Sequence, residues 1–344
     1  MPQLSSSPSM PSSRILVTGG AGFIGSALVW ALNQRGEENI VVTDSLGTDE
    51  KWKNLVALKY ADYLDAADLL DAVTNRPESL GKFDVIYHLG ANSATTERDA
   101  NHLMKNNFEY TKVLAHWAIA IGAKFVYASS AATYGDGAHG MDDKMQDISV
   151  LRPLNMYGYS KHLFDLYAQR AGIAKRVVGL KYFNVYGPNE NHKGDMRSVV
   201  NKAFDQILTN GKVQLFKSHR PDFKDGEQMR DFLYVKDAVA MTLFLGNHPL
   251  SGGLYNLGSG LAHTWLQLVT GIFRALELPP HIEFIDLPAH LREKYQYYTC
   301  ADISKLRQLG YKDAITPLND AVADYVRAYM VPGKLLGDGE ARIG

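Results

Sequence analysis

The sequence is short of most features that would take it outside ordinary globular proteins. Cys300 is the only cysteine among 344 residues, so no disulfide can form within the chain and a cross-linked scaffold is excluded. That suits a reducing compartment and points to the cytoplasm. A single free cysteine is usually a small buried apolar residue, and no constellation around Cys300 makes it a nucleophile. Apolar runs stay below the ~18 residues a membrane helix needs. Met1 to Ser13 is rich in Ser and Pro, with neither a basic start nor an apolar stretch, so the pattern of a secretory signal is missing. It reads as a flexible tail, or else as a targeting or tag remnant. No excess of charge exists either: 36 Lys and Arg against 37 Asp and Glu leave a formal net charge of −1. This removes the electrostatic basis for binding nucleic acid or an anionic membrane. The expected partner is a small molecule, with room for a local basic pocket facing a phosphorylated ligand.

What is present is a large core. With 46% hydrophobic and 21% charged residues, the chain can bury an extensive interior. From Arg14 onward the pattern reads strand (15–17), glycine turn (19–25), helix (27–32), strand (40–43). The alternation continues with strands at 85–88, 125–128 and 177–180 and helices at about 103–121 and 157–170. Strands separated by helices predict an α/β fold, a doubly wound parallel sheet of the Rossmann kind. Beyond Asn184 the regularity weakens; strands at 213–216 and 232–235 fall among loops, with helices expected near 238–245, 269–276 and 318–329. The expected division is a tail (1–13), a dinucleotide-binding unit (14–183) drawing some later elements, a smaller mixed α/β substrate-binding portion (184–331) and a second tail (332–344).

The strongest local signal is the run Thr18 to Gly25, in which Gly19, Gly22 and Gly25 are spaced G-x-x-G-x-x-G between a strand and a helix. Glycines permit the tight turn and a close backbone approach, and the helix start offers N–H donors to a diphosphate. About 20 residues further on, Asp44 ends the second strand, where a carboxylate can bind the adenosine ribose hydroxyls of NAD. Lys51 and Lys53 follow, either able to neutralise the 2'-phosphate of NADP, so the residues by themselves leave the two cofactors open. A third cluster joins Ser130, at the end of the 125–128 strand, to Tyr157 and Lys161. On one helix these last two share a face, so the Lys161 ammonium is expected to lower the Tyr157 phenol toward neutrality as a proton acceptor. Ser130 is expected to orient the hydroxyl being oxidised.

These motifs, with His88-Leu89-Gly90-Ala91, Asn106-Asn107, Tyr182 to Pro188 and Arg230 to Val235, resemble the extended short-chain dehydrogenase/reductase family of nucleotide-sugar enzymes, the NAD-dependent epimerases and dehydratases. Within it the runs Ala91 to Glu97, Tyr127 to Gly135, Pro153 to Lys161 and above all Gly187 to Gly194 resemble the branch that inverts C6 of an ADP-activated heptose for lipopolysaccharide core synthesis; Lys294 to Gln296 and Ala301-Asp302 extend the match. The resemblance implies a bound NADP, with NAD the alternative, and two bases: Tyr157 on one face of the sugar and Lys193 on the other. Without the family pattern, Lys193 would read as an exposed loop lysine. Carried over by position, cofactor contacts fall on Phe23, Ile24, Asp44, Ser45, Lys51, Leu89, Gly90, Ala91, Asn92, Ser93, Asn106, Lys161, Val185 and Lys193. Substrate contacts fall on Ser130, Asn184, Phe216, Lys217, Ser218, His219, Arg230 and Tyr295. The guanidinium of Arg230 suits a diphosphate, the competing role being an ion pair with Asp231.

The chain departs from the family pattern where Asp195 replaces a serine and Lys202 a histidine, both in the substrate-binding portion. Arg220 to Met229 lengthens the loop before Arg230, and Ala66 stands where the family often offers a lysine to the cofactor. A dehydratase is disfavoured because Ala131-Ala132 supplies no acid. The remaining alternatives are another nucleotide-sugar epimerase, such as a 4-epimerase, and a non-catalytic NAD(P) sensor. No metal is expected: His88, His102 and His116 lack ligand spacing. The resemblance also implies a homo-oligomer, a pentamer among the possibilities.

Overall fold

The computed structural model describes residues 13–288, 292 and 295–339; residues 1–12 of the expected tail, and Lys294, lie outside the described residues. Elements follow in the order β1 (Ile15–Thr18), α1 (Phe23–Asn33), β2 (Ile40–Asp44), β3 (Asp62–Asp65), α2 (Ala66–Asn75), β4 (Val85–His88), α3 (Ala100–Leu103), α4 (Tyr110–Ile121), β5 (Lys124–Ser130), α5 (Met156–Arg170), β6 (Val177–Tyr182) and β7 (Asn184–Tyr186). Then come α6 (Val199–Asn210), β8 (Val213–Phe216), β9 (Met229–Tyr234), α7 (Val235–Asn247), β10 (Gly253–Leu257), β11 (Ala262–Thr264), α8 (Trp265–Ala275), β12 (Ile282–Ile285), α9 (Ser304–Gln308) and α10 (Leu318–Asp324).

Seven strands form one sheet in the order β10-β6-β5-β4-β1-β2-β3, every pair parallel. Helices cover both faces, which is why β1 and β2 are buried along their length and apolar except at their ends, Thr18, Thr43 and Asp44. Alternate residues feed opposite layers. Leu16, Ile86 and Phe125 pack with Leu114 and Phe164 on one side, while Val17, Val42 and Val126 pack with Leu28, Val239 and Leu243 on the other. The expected doubly wound sheet is therefore the fold. A smaller mixed portion holds a three-stranded sheet, β11-β9-β7, and the parallel pair β12-β8. Its β10 crosses back to pair with β6, so the long sheet is completed only after residue 252.

Three local features differ from the sequence reading. β3 was not foreseen: it is a short polar edge strand, Asp-Tyr-Leu-Asp, without an apolar face to reveal it. Between α3 and α4 the chain widens into a π-helical segment, Met104–Glu109, of a kind that often marks functional sites. The end of the chain is not all tail, because Leu336 is buried and donates its N–H to Asn189 Oδ1 at 2.9 Å.

Candidate active site

β1 lies between β2 and β4, where the strand order reverses; at such a point the strand ends leave a crevice. The glycine turn forms its floor. Gly19 adopts a left-handed φ of +66°, and a Cβ there would stand 2.6 Å from Gly90 Cα. At Gly25 a Cβ would be 2.0 Å from the Gly19 carbonyl oxygen, so the helix starts only if this residue is glycine. Gly22 caps α1 with no side-chain hydrogen bond and no acidic residue in the first turn; a Cβ there would approach only the Gly19 oxygen, at 3.1 Å. The first helical N–H groups are thus left for an anion, and the cradle fits a dinucleotide diphosphate.

Asp44, at the end of β2, accepts from Ala21 N at 3.0 Å, Ser45 N at 2.8 Å and Lys51 Nζ at 3.0 Å. Its carboxylate is thereby committed to the turn. Of the two lysines, Lys51 faces Asp44, whereas Lys53 pairs with Glu50 on the exposed surface. Asn54 was not singled out by sequence. Its amide donates to Ala21 O (2.9 Å) and Asn189 O (3.1 Å), 33 and 135 residues away, a contact without any local signal.

At the end of β4, buried His88 sits between Thr18 Oγ1 (2.7 Å) and Thr111 Oγ1 (2.9 Å). Burial, helped by the Lys161 charge, lowers it to about 3, so it is a neutral structural residue. Thr18 Oγ1 also accepts from Gly90 N at 3.1 Å. The following loop, Leu89 to Ser93, is fixed by Asn107 of the π segment. Asn107 accepts from Asn92 N (2.9 Å) and donates to Asn92 O (2.9 Å) and Ser160 Oγ (3.0 Å). The loop is thereby tied to the helix of Tyr157 and Lys161. Its neighbour Asn106 bonds instead to the His102 ring.

Ser130 ends β5 and accepts from Ala132 N at 3.1 Å. Across from it α5 begins under the Asn155 cap and presents Tyr157 and, one turn later, buried Lys161. Ser130 and Tyr157 are brought close enough for the serine hydroxyl to favour ionisation of the phenol, and Lys161 follows one helical turn later on α5. The direction for Tyr157 is nevertheless opposite to the sequence expectation. Burial raises its pKa above the ordinary value, Ser130 offsets part of this, and desolvation outweighs any help from Lys161. Lys161 is itself lowered to about 8 by burial, with Asp165 opposing.

The run Gly187 to Gly194 folds onto the glycine turn. Asn189, at a φ of +76°, donates to Ser26 Oγ at 3.0 Å, and Glu190 is buried against Ser198. This orders the short helix 191–196, from which Lys193 places Nζ 5.4 Å from the Phe23 ring centre. Burial lowers the Lys193 pKa, with Glu190 opposing. Thr95, from the loop after β4, approaches Met196 Sδ at 4.0 Å, so the two rims of the crevice meet. Asn184 and Val185 open β7 on the same side.

In the 184–331 portion, buried Arg230 lies against the rings of Trp265 (5.7 Å) and Tyr295 (5.4 Å) and donates to Met229 O at 2.8 Å and to Gln296 O. Burial lowers it to about 10. It is not the partner of Asp231, which accepts instead from Ser259, Gly260 and Ala301. Gln296 donates to Gly135 O, joining this cluster to the turn after Ser130. The 216–219 segment is held through His219 N to Tyr297 OH (3.1 Å), Ser218 N to Asp225 Oδ1 (2.8 Å) and a Lys217–Asp286 pair (3.1 Å). Lys202 donates to Asp195 O at 3.2 Å, linking the two departures from the family pattern. The 220–229 loop is anchored, with Leu266 N donating to Gly226 O at 3.1 Å.

Residues 15–258 match the model of the NAD dependent epimerase/dehydratase family. The ADP-L-glycero-D-manno-heptose-6-epimerase of Nitratidesulfovibrio vulgaris is 52% identical over 315 residues, 92% of this chain and 97% of that protein. Among solved structures, the Helicobacter pylori ADP-L-glycero-D-manno-heptose-6-epimerase superposes with a TM-score of 0.76 at 28% identity, covering 92% of this chain and 95% of the other. The UDP-glucuronic acid 4-epimerase of Bacillus cereus, in complex with UDP-glucuronic acid and NAD, gives 0.73 at 26% identity, covering 91% and 99%.

Proposed function

The chain belongs to the NAD dependent epimerase/dehydratase family, and from that premise we propose that it interconverts ADP-D-glycero-D-manno-heptose and ADP-L-glycero-D-manno-heptose at C6. The observation that carries this reading is the supply of two proton-transfer groups from separate elements, Tyr157 beside Ser130 on α5 and Lys193 over Phe23 from segment 191–196. An epimerisation by oxidation and re-reduction needs one such group for each face of the sugar.

A nicotinamide cofactor, when bound, supplies reversible hydride acceptance and return. The glycine turn and the open start of α1 would hold its diphosphate, and the loop Leu89 to Ser93 borders the same crevice. The committed Asp44 carboxylate and the adjacent Lys51 charge favour NADP over NAD, since Asp44 is bonded three times already and Lys51 can face a 2'-phosphate. Ser130 would donate to the C6 oxygen and Tyr157 would take its proton as the 6-keto sugar forms. Lys161 would stabilise the phenolate and bind the nicotinamide ribose. After the keto sugar turns over, Lys193 would return a proton to the C6 oxygen from the other face. Arg230 would bind the substrate diphosphate, aided by Tyr295.

The test is incubation of the purified protein with ADP-D-glycero-D-manno-heptose, without added reductant, followed by NMR of the C6 configuration. Appearance of both C6 epimers is expected. Unchanged substrate, with protein shown to hold cofactor, would overturn the heptose reading and turn attention to Asp195, Lys202 and the 220–229 loop as marks of another nucleotide sugar. In the same assay Lys193→Met is expected to lower the rate about 100-fold.

A further inference from the structure

Beneath the triad lies an ion pair that the proposed chemistry does not use. Asp165 on α5 and Lys181 on β6 are 1% exposed or less and meet at 2.9 Å. Asp165 also accepts from Tyr127 OH at 2.9 Å and Ser129 Oγ at 2.8 Å, both on β5. Lys181 donates to Thr133 Oγ1 at 2.5 Å, and that hydroxyl donates to Ser130 O at 2.7 Å. One end of the pair is thus bonded to the strand residue preceding Ser130 and the other, through Thr133, to Ser130 itself. Asp165 also stands four residues beyond Lys161 on the same helix, the spacing that puts two side chains on one face.

A buried pair of this kind seldom adds net stability over an apolar pair of the same volume, so its presence asks for another explanation. We propose that Asp165 and Lys181 are positioning residues for the Ser130, Tyr157 and Lys161 triad: Asp165 keeps Lys161 in its ammonium form, and Lys181 holds the Ser130 turn in register with α5. The roles of the triad rest on the function proposed above; the electrostatic link between Asp165 and Lys161 does not. Burial alone pulls the Lys161 pKa down, and Asp165 is the opposing charge. The other titratable group in electrostatic contact with Lys161 is His88 at the end of β4; Tyr127 on β5, His162 on α5 and Lys181 on β6 face Asp165, and Tyr134 on the turn after Ser130 faces Lys181. Lys105 and Glu109 of the π segment are exposed. None but Asp165 offers a buried negative charge one turn from Lys161.

The experiment follows the Lys161 Cε resonance of the full-length protein by NMR through a pH titration, assigned by its loss in Lys161→Arg. In Asp165→Asn the midpoint is expected to move down by about one to three pH units, the usual effect of losing a nearby opposite charge, and the alkaline limb of the activity profile is expected to move with it. In Lys181→Met the midpoint is not expected to fall, because Asp165 remains. Should Asp165→Asn fail to fold, the double variant Asp165→Asn/Lys181→Met removes the pair as a unit, and the same downward shift is expected. An unmoved midpoint in a folded variant lacking Asp165 would overturn the inference, as would an equal fall in Lys181→Met. If the midpoint falls while ADP-heptose is never turned over, the proposed function fails and the positioning role stands.

Discussion

At the glycine turn the backbone itself shapes the crevice: Gly19 and Gly25 stand where a methyl group would be 2.6 and 2.0 Å from main-chain atoms, and the groups left open at the start of α1 are peptide N–H donors. In the 184–331 portion long side chains take over. Arg230 is wedged between Trp265 and Tyr295, and Lys202 reaches back to Asp195. A site built of backbone tolerates no added atom, so its sequence pattern is rigid and legible. A region lined by side chains can be re-lined one residue at a time, and the departures at Asp195, Lys202 and the 220–229 loop all fall there.

The sharpest way to break this contrast is Gly25→Ala. Its Cβ must displace the Gly19 carbonyl, so loss of measurable nicotinamide dinucleotide binding is expected, read by fluorescence titration alongside a thermal melt; near-normal binding would show that the turn can relax. Next comes Tyr157→Phe, which removes one hydroxyl and is expected to cost about 10²- to 10⁴-fold in rate, with cofactor and ADP-sugar affinity unchanged. On the other side Arg230→Lys keeps the charge and loses the planar fork. About a tenfold rise in KM with little change in kcat is expected from steady-state kinetics, and an equal fall in kcat would place Arg230 in the chemical step instead.

The smallest effect concerns His88, which joins the floor of the crevice to α4. Its folded value of about 3 lies below the ~6.5 of an unfolded chain, so between these values the unfolded state binds the extra proton. Stability attributable to His88 is therefore complete above about pH 6.5 and falls as pH drops toward 3, by at most about 1.4 kcal/mol per pH unit. Urea unfolding at pH 7 and pH 5 is expected to show a smaller difference for His88→Asn than for the parent protein. An identical pH slope in both would assign the acid sensitivity to other groups.

Much of the nucleotide side was readable in advance because its signals are local: a β-branched strand, three glycines at fixed spacing, an acid at the next strand end, and Tyr157 and Lys161 one helical turn apart. Other members of the site have no such neighbours in sequence. Asn54 reaches Ala21 across 33 residues and Asn189 across 135, and Gln296 reaches Gly135 across 161. The Asp165–Lys181 pair joins a helix to a strand that reads simply as apolar. Spacing also misjudged the direction for Tyr157, since burial is a property of the assembled site and here it outweighs charge.

Local pattern is enough for the doubly wound sheet, the glycine turn between β1 and α1 and the shared helical face of Tyr157 and Lys161, because each follows from period, glycine geometry or helical spacing over a few residues. It takes the assembled fold to show that Lys51 rather than Lys53 faces Asp44, that a half-buried Lys193 stands over Phe23, that Arg230 lies against Trp265 and Tyr295 instead of pairing with Asp231, and that burial dominates the proton affinities of Tyr157 and Lys161. Those outcomes depend on which distant segments share a small, poorly solvated volume, and desolvation exists only once the chain has closed around it.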